Sequence, residues 1–432
     1  MAGEKPREIA LRVMQQAAQS GEILDRILGD ALSNPLLAVR DRRFVQELVM
    51  GVFRQRRLLD FLLKDFCRQR PVSSIQDVLR IGIYQVLFLQ RVPDYAAVNE
   101  MVDLAKRRAS QSQGRFVNAV LRRIVGKRCE LKAAIERLKR ERPAIGYSCP
   151  GWLYRRWRAR FKEGELRSLL EWQSLKPEIF VRVNRLQLTG SELLQWGFEE
   201  GLTFEPVVLP WKSGATVFRL PSGAGMASSA LFRRGGFYVQ DPSTLKSVEL
   251  LDPQQGNRVL DLCAAPGGKT AYMAERMNNT GEIVACDIVP NRLQLVEENC
   301  RRLGVENTTF ELRDGTEPDL GSLGLFDRVL VDVPCSNTGV LRRRCDLRWR
   351  LSAKELSRLT DLQGRLLRQA AQVLGPGGRL VYSTCSIEPE ENQDLIDAFV
   401  KETPGFVCVE SGALMPHRDG VDGAFFAKLI RA

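Results

Sequence analysis

At 432 residues with 44% hydrophobic content, the chain is longer than one core usually holds, and two or three packed domains are expected. Its 64 Lys and Arg outnumber 52 Asp and Glu, and a formal net charge of +12 favours a polyanionic partner such as nucleic acid. No apolar run approaches the roughly 18 residues of a membrane span, Met1 to Gly21 carries charge where a signal peptide is apolar, and ten cysteines lack any C-x-x-C pair beside the single His417; the expectation is a cytoplasmic protein with free thiols, no membrane and no metal.

Taken in order, residues 1–140 read as helices. Apolar positions recur at three and four spacing in Ile9, Ala10, Val13, Met14 and Ala17, in Phe44, Leu48 and Val52, in Val78, Leu79, Ile83, Val86 and Leu87, and in Val117, Val120, Leu121 and Ile124. Breaks are expected at Asn34-Pro35, Arg70-Pro71, Val92-Pro93 and Gly114. This segment holds 27 Lys and Arg against 15 Asp and Glu, residues 141–235 hold 14 against 9, and residues 236–432 hold 23 against 28, so the positive excess lies in the first half. Its basic clusters, Arg54 with Arg56 and Arg57, Lys106 to Arg108, and Arg122 and Arg123 with Lys127 and Arg128, are expected near helix ends, where phosphate contacts are easy. The phrases Asp41-Arg42-Arg43-Phe44-Val45, Gly82-Ile83-Tyr84-Gln85, Ala96-Ala97-Val98-Asn99-Glu100 and Phe116 to Arg122 resemble the RNA-binding bundle of the antitermination factor NusB. That resemblance implies a NusB-like all-α domain over 1–140.

Residues 141–235 change character and read as linker helices with a small α+β RNA-recognition subdomain. Trp152 and Trp157 interleave with Arg155 and Arg156, and aromatics beside arginines can stack unpaired bases. Tryptophans in such a stretch are more often helix core than base platforms, since aromatics dominate burial. An alternating strand follows at 179–184, then a helix near 191–201.

From 236 to 432 the rhythm is strand, loop, helix. Strands are expected at 258–262, 283–286, 309–312, 328–333, 379–382, 406–409 and 425–430, with helices at 269–277, 290–303 and 353–373. Such alternation predicts a seven-stranded, doubly wound, Rossmann-like α/β sheet, whose ligands bind beyond the carboxyl ends of the strands. Asp261, Asp287, Asp314, Asp332, Cys335 and Cys385 all fall at or just after strand ends. The first strand leads into Cys263-Ala264-Ala265-Pro266-Gly267-Gly268-Lys269-Thr270. A phosphate loop is excluded, because Cys263 stands where its first glycine is needed, and the spaced glycines of a dinucleotide fingerprint are missing. What remains is a small-residue turn into a helix N-terminus, suited to a carboxylate and a phosphate-free nucleoside, as in S-adenosyl-L-methionine. Asp287 is placed to take ribose hydroxyls and Asp314 an adenine amino group.

Residues 259–270, 332–339 and 382–392, with 235–241 ahead of them and 422–426 behind, resemble the signature motifs of the RNA cytosine-C5 methyltransferases, the Nop2/Sun family. The fusion to a NusB-like bundle is similar to bacterial members that modify 16S ribosomal RNA of the small subunit. The resemblance implies Cys385 as nucleophile, Cys335 as the residue that assists product release, and cofactor contacts from Cys263 to Lys269 and from Asp287, Asp314 and Asp332. The implied partner is 16S ribosomal RNA or an early small-subunit assembly intermediate. Val333, Asn337 and Cys345 depart from the residues usual at those positions.

The chemistry accounts for both thiols. Cytosine C5 is a poor nucleophile until a thiolate adds to C6, the task for Cys385. Asp332 is the candidate to hold a proton for N3, and Cys335 rather than the distant His417 the candidate base for the C5 proton. Cys67, Cys129, Cys286 and Cys408 read as small apolar fillers. The remaining alternatives are a methyltransferase for transfer RNA or another RNA, one acting on an exocyclic amine or a protein, and a non-enzymatic RNA-binding assembly factor. Against the amine enzymes, the turn Asp332-Val333-Pro334-Cys335 lacks their aromatic.

Overall fold

The computed structural model describes residues 4–211, 216–221, 226 and 229–431. The chain divides into two compact units, Met1–Leu175 with Leu341–Arg350, and Lys176–Val340 with Leu351–Ala432. Residues 141–175 continue the helical unit, whereas the small sheet that follows belongs with the catalytic fold.

The helical unit is built around two helices. Val39–Lys64 buries Val45, Leu48, Val49, Val52, Leu59, Leu62 and Leu63 along one stripe, and Ser73–Phe88 is buried along its whole middle from Ile75 to Leu87. Each such apolar side chain contributes about 1.5–3 kcal/mol when removed from water. Arg80 on the inner helix is reconciled with burial by Asp60 at 2.7 Å and Asp77 at 2.6 Å. Trp157 is fully buried, as a core residue. Among the described residues no helix is long and apolar enough to cross a membrane.

In three places the helical unit differs from the expectation. Gly114 does not end a helix; it lies inside Gln111–Gly126, capped by Ser110, and a Cβ there would come within 2.4 Å of the Lys106 stem. Arg54, Arg56 and Arg57 lie within a 26-residue helix, not near its end. Arg54 donates to the Arg342 carbonyl at 3.1 Å, Arg57 donates to the Cys149 carbonyl, and Arg56 stacks over Trp349 at 5.7 Å, so these charges hold the fold. Finally, residues 341–350, read as part of the catalytic domain, pack with the helices. Leu341, Cys345 and Trp349 recur every fourth residue; Cys345 joins the helical core, and the Trp349 indole donates to the Phe53 carbonyl at 2.8 Å.

The second unit opens with a four-stranded antiparallel sheet, β1 (Ile179–Val183), β2 (Glu205–Pro206), β3 (Val217–Leu220) and β4 (Phe237–Val239), in the order β2-β3-β1-β4. The larger sheet holds β5 (Arg258–Asp261), β6 (Glu282–Asp287), β7 (Thr308–Leu312), β8 (Phe326–Asp332), β9 (Leu374–Thr384), β10 (Phe406–Leu414) and β11 (Ala424–Arg431). Its order is β10-β11-β9-β8-β5-β6-β7, the seven-stranded Rossmann-like arrangement expected, with β11 antiparallel to both neighbours. Only nine residues separate β10 from β11, too few for the crossover that a parallel partner needs. Strand order reverses beside β5, with β8 on one side and β6 on the other, and that is where a ligand crevice belongs.

Candidate active site

β8 and β9 run side by side, pairing Asp332 with Ser383, and the Val333 amide continues the ladder by donating to the Ser383 carbonyl at 3.1 Å. The residues just beyond therefore emerge together. Cys335 Sγ lies 3.2 Å from Cys385 Sγ, 50 positions away in sequence. Close approach of the two loops needs Gly339: its amide donates to the Cys385 carbonyl at 3.0 Å, and a Cβ there would fall 2.5 Å from the Gly423 carbonyl oxygen.

The thiol environments differ. Cys335 is buried and Cys385 half-buried. The hydrogen bond to Cys385, then burial and the nearby charges of Cys385 and Glu391, push the Cys335 thiol well above its ordinary range. Cys385 also donates to Asn337 Oδ1 at 3.1 Å, while Asn337 Nδ2 donates to the Cys335 carbonyl at 2.6 Å. Asn337 has φ 58, a left-handed conformation that Asn tolerates better than most side chains. At this left-handed position a side-chain amide thus stands against the Cys385 sulfur.

Asp332 stands at the end of β8 with both oxygens engaged. Lys269 Nζ is 2.6 Å from Oδ2, and the Ser383 hydroxyl donates to Oδ1 at 2.6 Å. Lys269 itself comes from the first turn of the helix Gly268–Arg276, so the loop after β5 and the end of β8 meet through this ion pair.

The 263–270 loop turns on Gly267, at φ 95, where a Cβ would sit 3.1 Å from Val296 Cα. Its backbone is held by the Ala264 amide on the Cys286 carbonyl at 2.9 Å and by Asn299 Nδ2 on the Pro266 carbonyl at 2.9 Å. Asp287 ends β6, 4% exposed, and accepts from the Val289 amide at 3.1 Å and the Ala265 amide at 3.4 Å. The thiol of Cys263, a half-buried residue, is pushed well up, by burial first and then by Asp287, Asp332 and Asp261. Asp314, just past β7, lines an open cleft of ≈ 580 Å³ with Glu311, Leu312, Arg313, Glu317 and Pro318. Asp261 lies fully buried beneath the loop; Thr270 donates to Oδ2 at 2.7 Å, and burial lifts its carboxyl to about 7.

All the residues singled out from sequence are thus on one edge of the larger sheet, from Asp314 through Asp287 and the 263–270 loop to Asp332, Cys335 and Cys385. His417 is elsewhere, in the short helix Pro416–Asp419 between β10 and β11. Sequence reasoning noted Asn337 only as a departure within its motif, missed Ser383 as the partner of Asp332, and missed Glu391 altogether. The only signal for Glu391 was an acidic residue set among Ser, Thr and Asn after β9.

Residues 248–430 match the family described as 16S rRNA methyltransferase RsmB/F, and residues 4–126 match the NusB family. The chain is 32% identical to the probable ribosomal RNA small subunit methyltransferase B of Bacillus subtilis, with 98% of each chain covered. It is 33% identical to the ribosomal RNA small subunit methyltransferase B of Yersinia pseudotuberculosis, again over 98% of each. Among solved structures, the crystal structure of PH0851 superposes with a TM-score of 0.82 at 24% identity over 99% of both chains, which shows that the fold is shared. A NusB-family region, an RNA methyltransferase region and likeness to these relatives from end to end lead to one conclusion: the chain belongs to the ribosomal RNA small subunit methyltransferase B family.

Proposed function

We propose that this RNA methyltransferase converts a cytidine of 16S ribosomal RNA to 5-methylcytidine by adding a cysteine thiolate to C6 of the ring. The observation that carries the reading is the pair of sulfurs 3.2 Å apart at the ends of adjacent strands. Cys385 is the half-buried member and the nucleophile. As its thiolate bonds to C6, electron density moves onto C5 and toward N3. Both Asp332 oxygens already accept hydrogen bonds, so the proton offered to N3 comes from the Lys269–Asp332 pair acting as a unit.

The 263–269 loop fits S-adenosyl-L-methionine. A left-handed glycine backed by Val296 brings bare backbone to the loop's tip, and two carboxylates, on Asp287 and Asp314, stand at the ends of β6 and β7. Asp287 would take the ribose hydroxyls and Asp314 the adenine edge, with Cys263 to Lys269 around the amino-acid end. When bound, the cofactor supplies an electrophilic methyl group to C5.

After transfer the C5 proton must leave and the S–C6 bond must break, returning the electron pair to the Cys385 sulfur and restoring the ring double bond. Cys335 is the proton acceptor of choice. Its largest upward push is the hydrogen bond with Cys385, and both that bond and the lesser push from the charge of Cys385 weaken once the Cys385 sulfur is bonded to carbon. Cys335 then passes its own proton to solvent water and, as the thiolate, takes the one from C5, ending as the thiol it began.

The RNA partner is reached through the helical unit and its positive excess. Part of that charge is internally committed, as in Arg108 with Glu8 at 2.8 Å, so the footprint rests on the exposed remainder. The test is methyl transfer from labelled cofactor to protein-free 16S ribosomal RNA and to partly assembled small subunits, followed by nucleoside analysis. Label in 5-methylcytidine is expected; label on an exocyclic amine, or none in either substrate, would sink the proposal.

A further inference from the structure

Each reactive cysteine is followed by a serine, Ser336 after Cys335 and Ser386 after Cys385, and both serines are buried. Between them lies the carboxylate of Glu391, itself fully buried. The Ser336 amide donates to Glu391 Oε1 at 2.8 Å, and Gln363 Nε2 donates to the same oxygen at 2.9 Å. The hydroxyls of Ser336 and Ser386 both donate to Oε2, and they stand 3.0 Å from one another. Glu391 is in turn pinned to β9, because the Tyr382 hydroxyl donates to its carbonyl at 2.7 Å. Its neighbour Asn392 accepts from Thr384 Oγ1 at 2.7 Å and donates to the Ser386 carbonyl at 2.9 Å.

A carboxylate removed from water is retained only where donors meet its oxygens, and an apolar side chain would fill the same space at least as stably. Three of the four donors here belong to the residues that directly follow the two cysteines. The bridge spans the very loops whose separation sets the thiol pair. We propose that Glu391 is a positioning residue: acting through Ser336 and Ser386, it holds the two cysteine-bearing loops at the distance at which one sulfur can assist the other. This rests on the covalent reading of Cys385 and Cys335 given above. The charge of Glu391 is also among the causes that keep the Cys335 proton in place, consistent with its closeness to that loop.

The test uses the full-length protein and two readouts. One is methylation of 16S ribosomal RNA, resolved into kcat and KM. The other is the rate at which diamide, which takes up both thiol hydrogens, joins Cys335 to Cys385 as read by peptide mass; this needs no RNA and no cofactor. Glu391→Ala should lower kcat about 10- to 100-fold, the scale of a misplacement near 1 Å, with KM within twofold, and should slow disulfide formation by a similar factor. Glu391→Gln keeps an acceptor for the Ser336 and Gln363 donors and should recover both rates to within about fivefold. Should the alanine variant not fold, Ser336→Ala must lower kcat several-fold with KM unchanged. Wild-type kcat and wild-type disulfide rate in Glu391→Ala, or in Ser336→Ala where that replaces it, would overturn the proposal, as would a glutamine variant as impaired as the alanine one. If the wild-type chain itself forms no 5-methylcytidine while the disulfide rates shift as stated, the covalent reading fails and the bridge stands.

Discussion

Cys345 and Cys335 are ten residues apart in sequence and both buried, yet they occupy opposite kinds of interior. Cys345 sits in the helical core, its thiol directed at the Met50 carbonyl at 3.4 Å, and burial lifts it to about 11. Cys149 in the same unit is lifted by burial to about 12. At the strand ends the leading cause for Cys335 is another thiol. The difference teaches that a hidden cysteine is an apolar filler until its neighbour is a group that can exchange a proton with it. Two carboxylates repeat the contrast. Glu391 and Asp261 are both fully buried, but every Glu391 oxygen is met, whereas Asp261 Oδ1 has no hydrogen-bond partner among the described residues.

The sharpest way to break this comparison is Cys385→Ala, which should reduce methyl transfer at least about 10⁴-fold, since loss of a nucleophile is not compensated by neighbouring groups. Measurable turnover by single-turnover assay would remove it from that role. Cys335→Ala should slow the full cycle by about 10²–10⁴-fold while a covalent protein–RNA species builds up. A denaturing gel without a slow, nuclease-sensitive band would count against the release function. For Asp261, the folded-state value near 7 lies above the ordinary 3.8, so its contribution to stability is complete below about pH 4 and is lost as pH rises through 7. Asp261→Asn should remove that slope, a difference of at most about 4 kcal/mol in denaturant titrations at pH 8 against pH 4. An unchanged slope would show that the carboxyl is better solvated than its position implies.

On the core side, Cys345→Ser should lower stability by about 1–3 kcal/mol, the cost of a hydroxyl in an apolar site, and leave kcat intact. A fall in kcat without unfolding would make Cys345 more than filler. The smallest effect is expected for Asn337→Gly, which keeps the left-handed backbone and removes one hydrogen bond to Cys385, about 1 kcal/mol or some fivefold in the rate of thiol alkylation at Cys385. No change would show that the amide is a bystander.

Most of the larger sheet was legible because buried parallel strands leave short β-branched runs between helical periods, and β5, β6 and β8 fall within two residues of expectation at each end. Cys335 and Cys385 could be paired from sequence because each closes such a run. What escaped had partners far along the chain. Arg54, Arg56 and Arg57 read as a phosphate-binding surface, and only the folded chain shows that the carbonyls of Arg342 and Cys149 and the ring of Trp349 occupy them. The apolar rhythm of Leu341, Cys345 and Trp349 was hidden by the arginines between. Gly114 misled because a glycine that admits a neighbour's stem looks the same in sequence as one that ends a helix.

The inclusion of Leu341–Arg350 in the helical unit bears on how the protein can be dissected. Its first-half core is completed by Leu341–Arg350, a stretch encoded far beyond Leu175, so no single truncation point yields two intact pieces. A fragment ending near 175 would lack Cys345 and Trp349, and a fragment beginning there would leave Arg348, 2% exposed in the whole chain, without the Ser148 and Gln173 carbonyls it donates to. RNA affinity is better apportioned by charge-neutralising substitutions at exposed lysines and arginines in the uncut chain than by deletion.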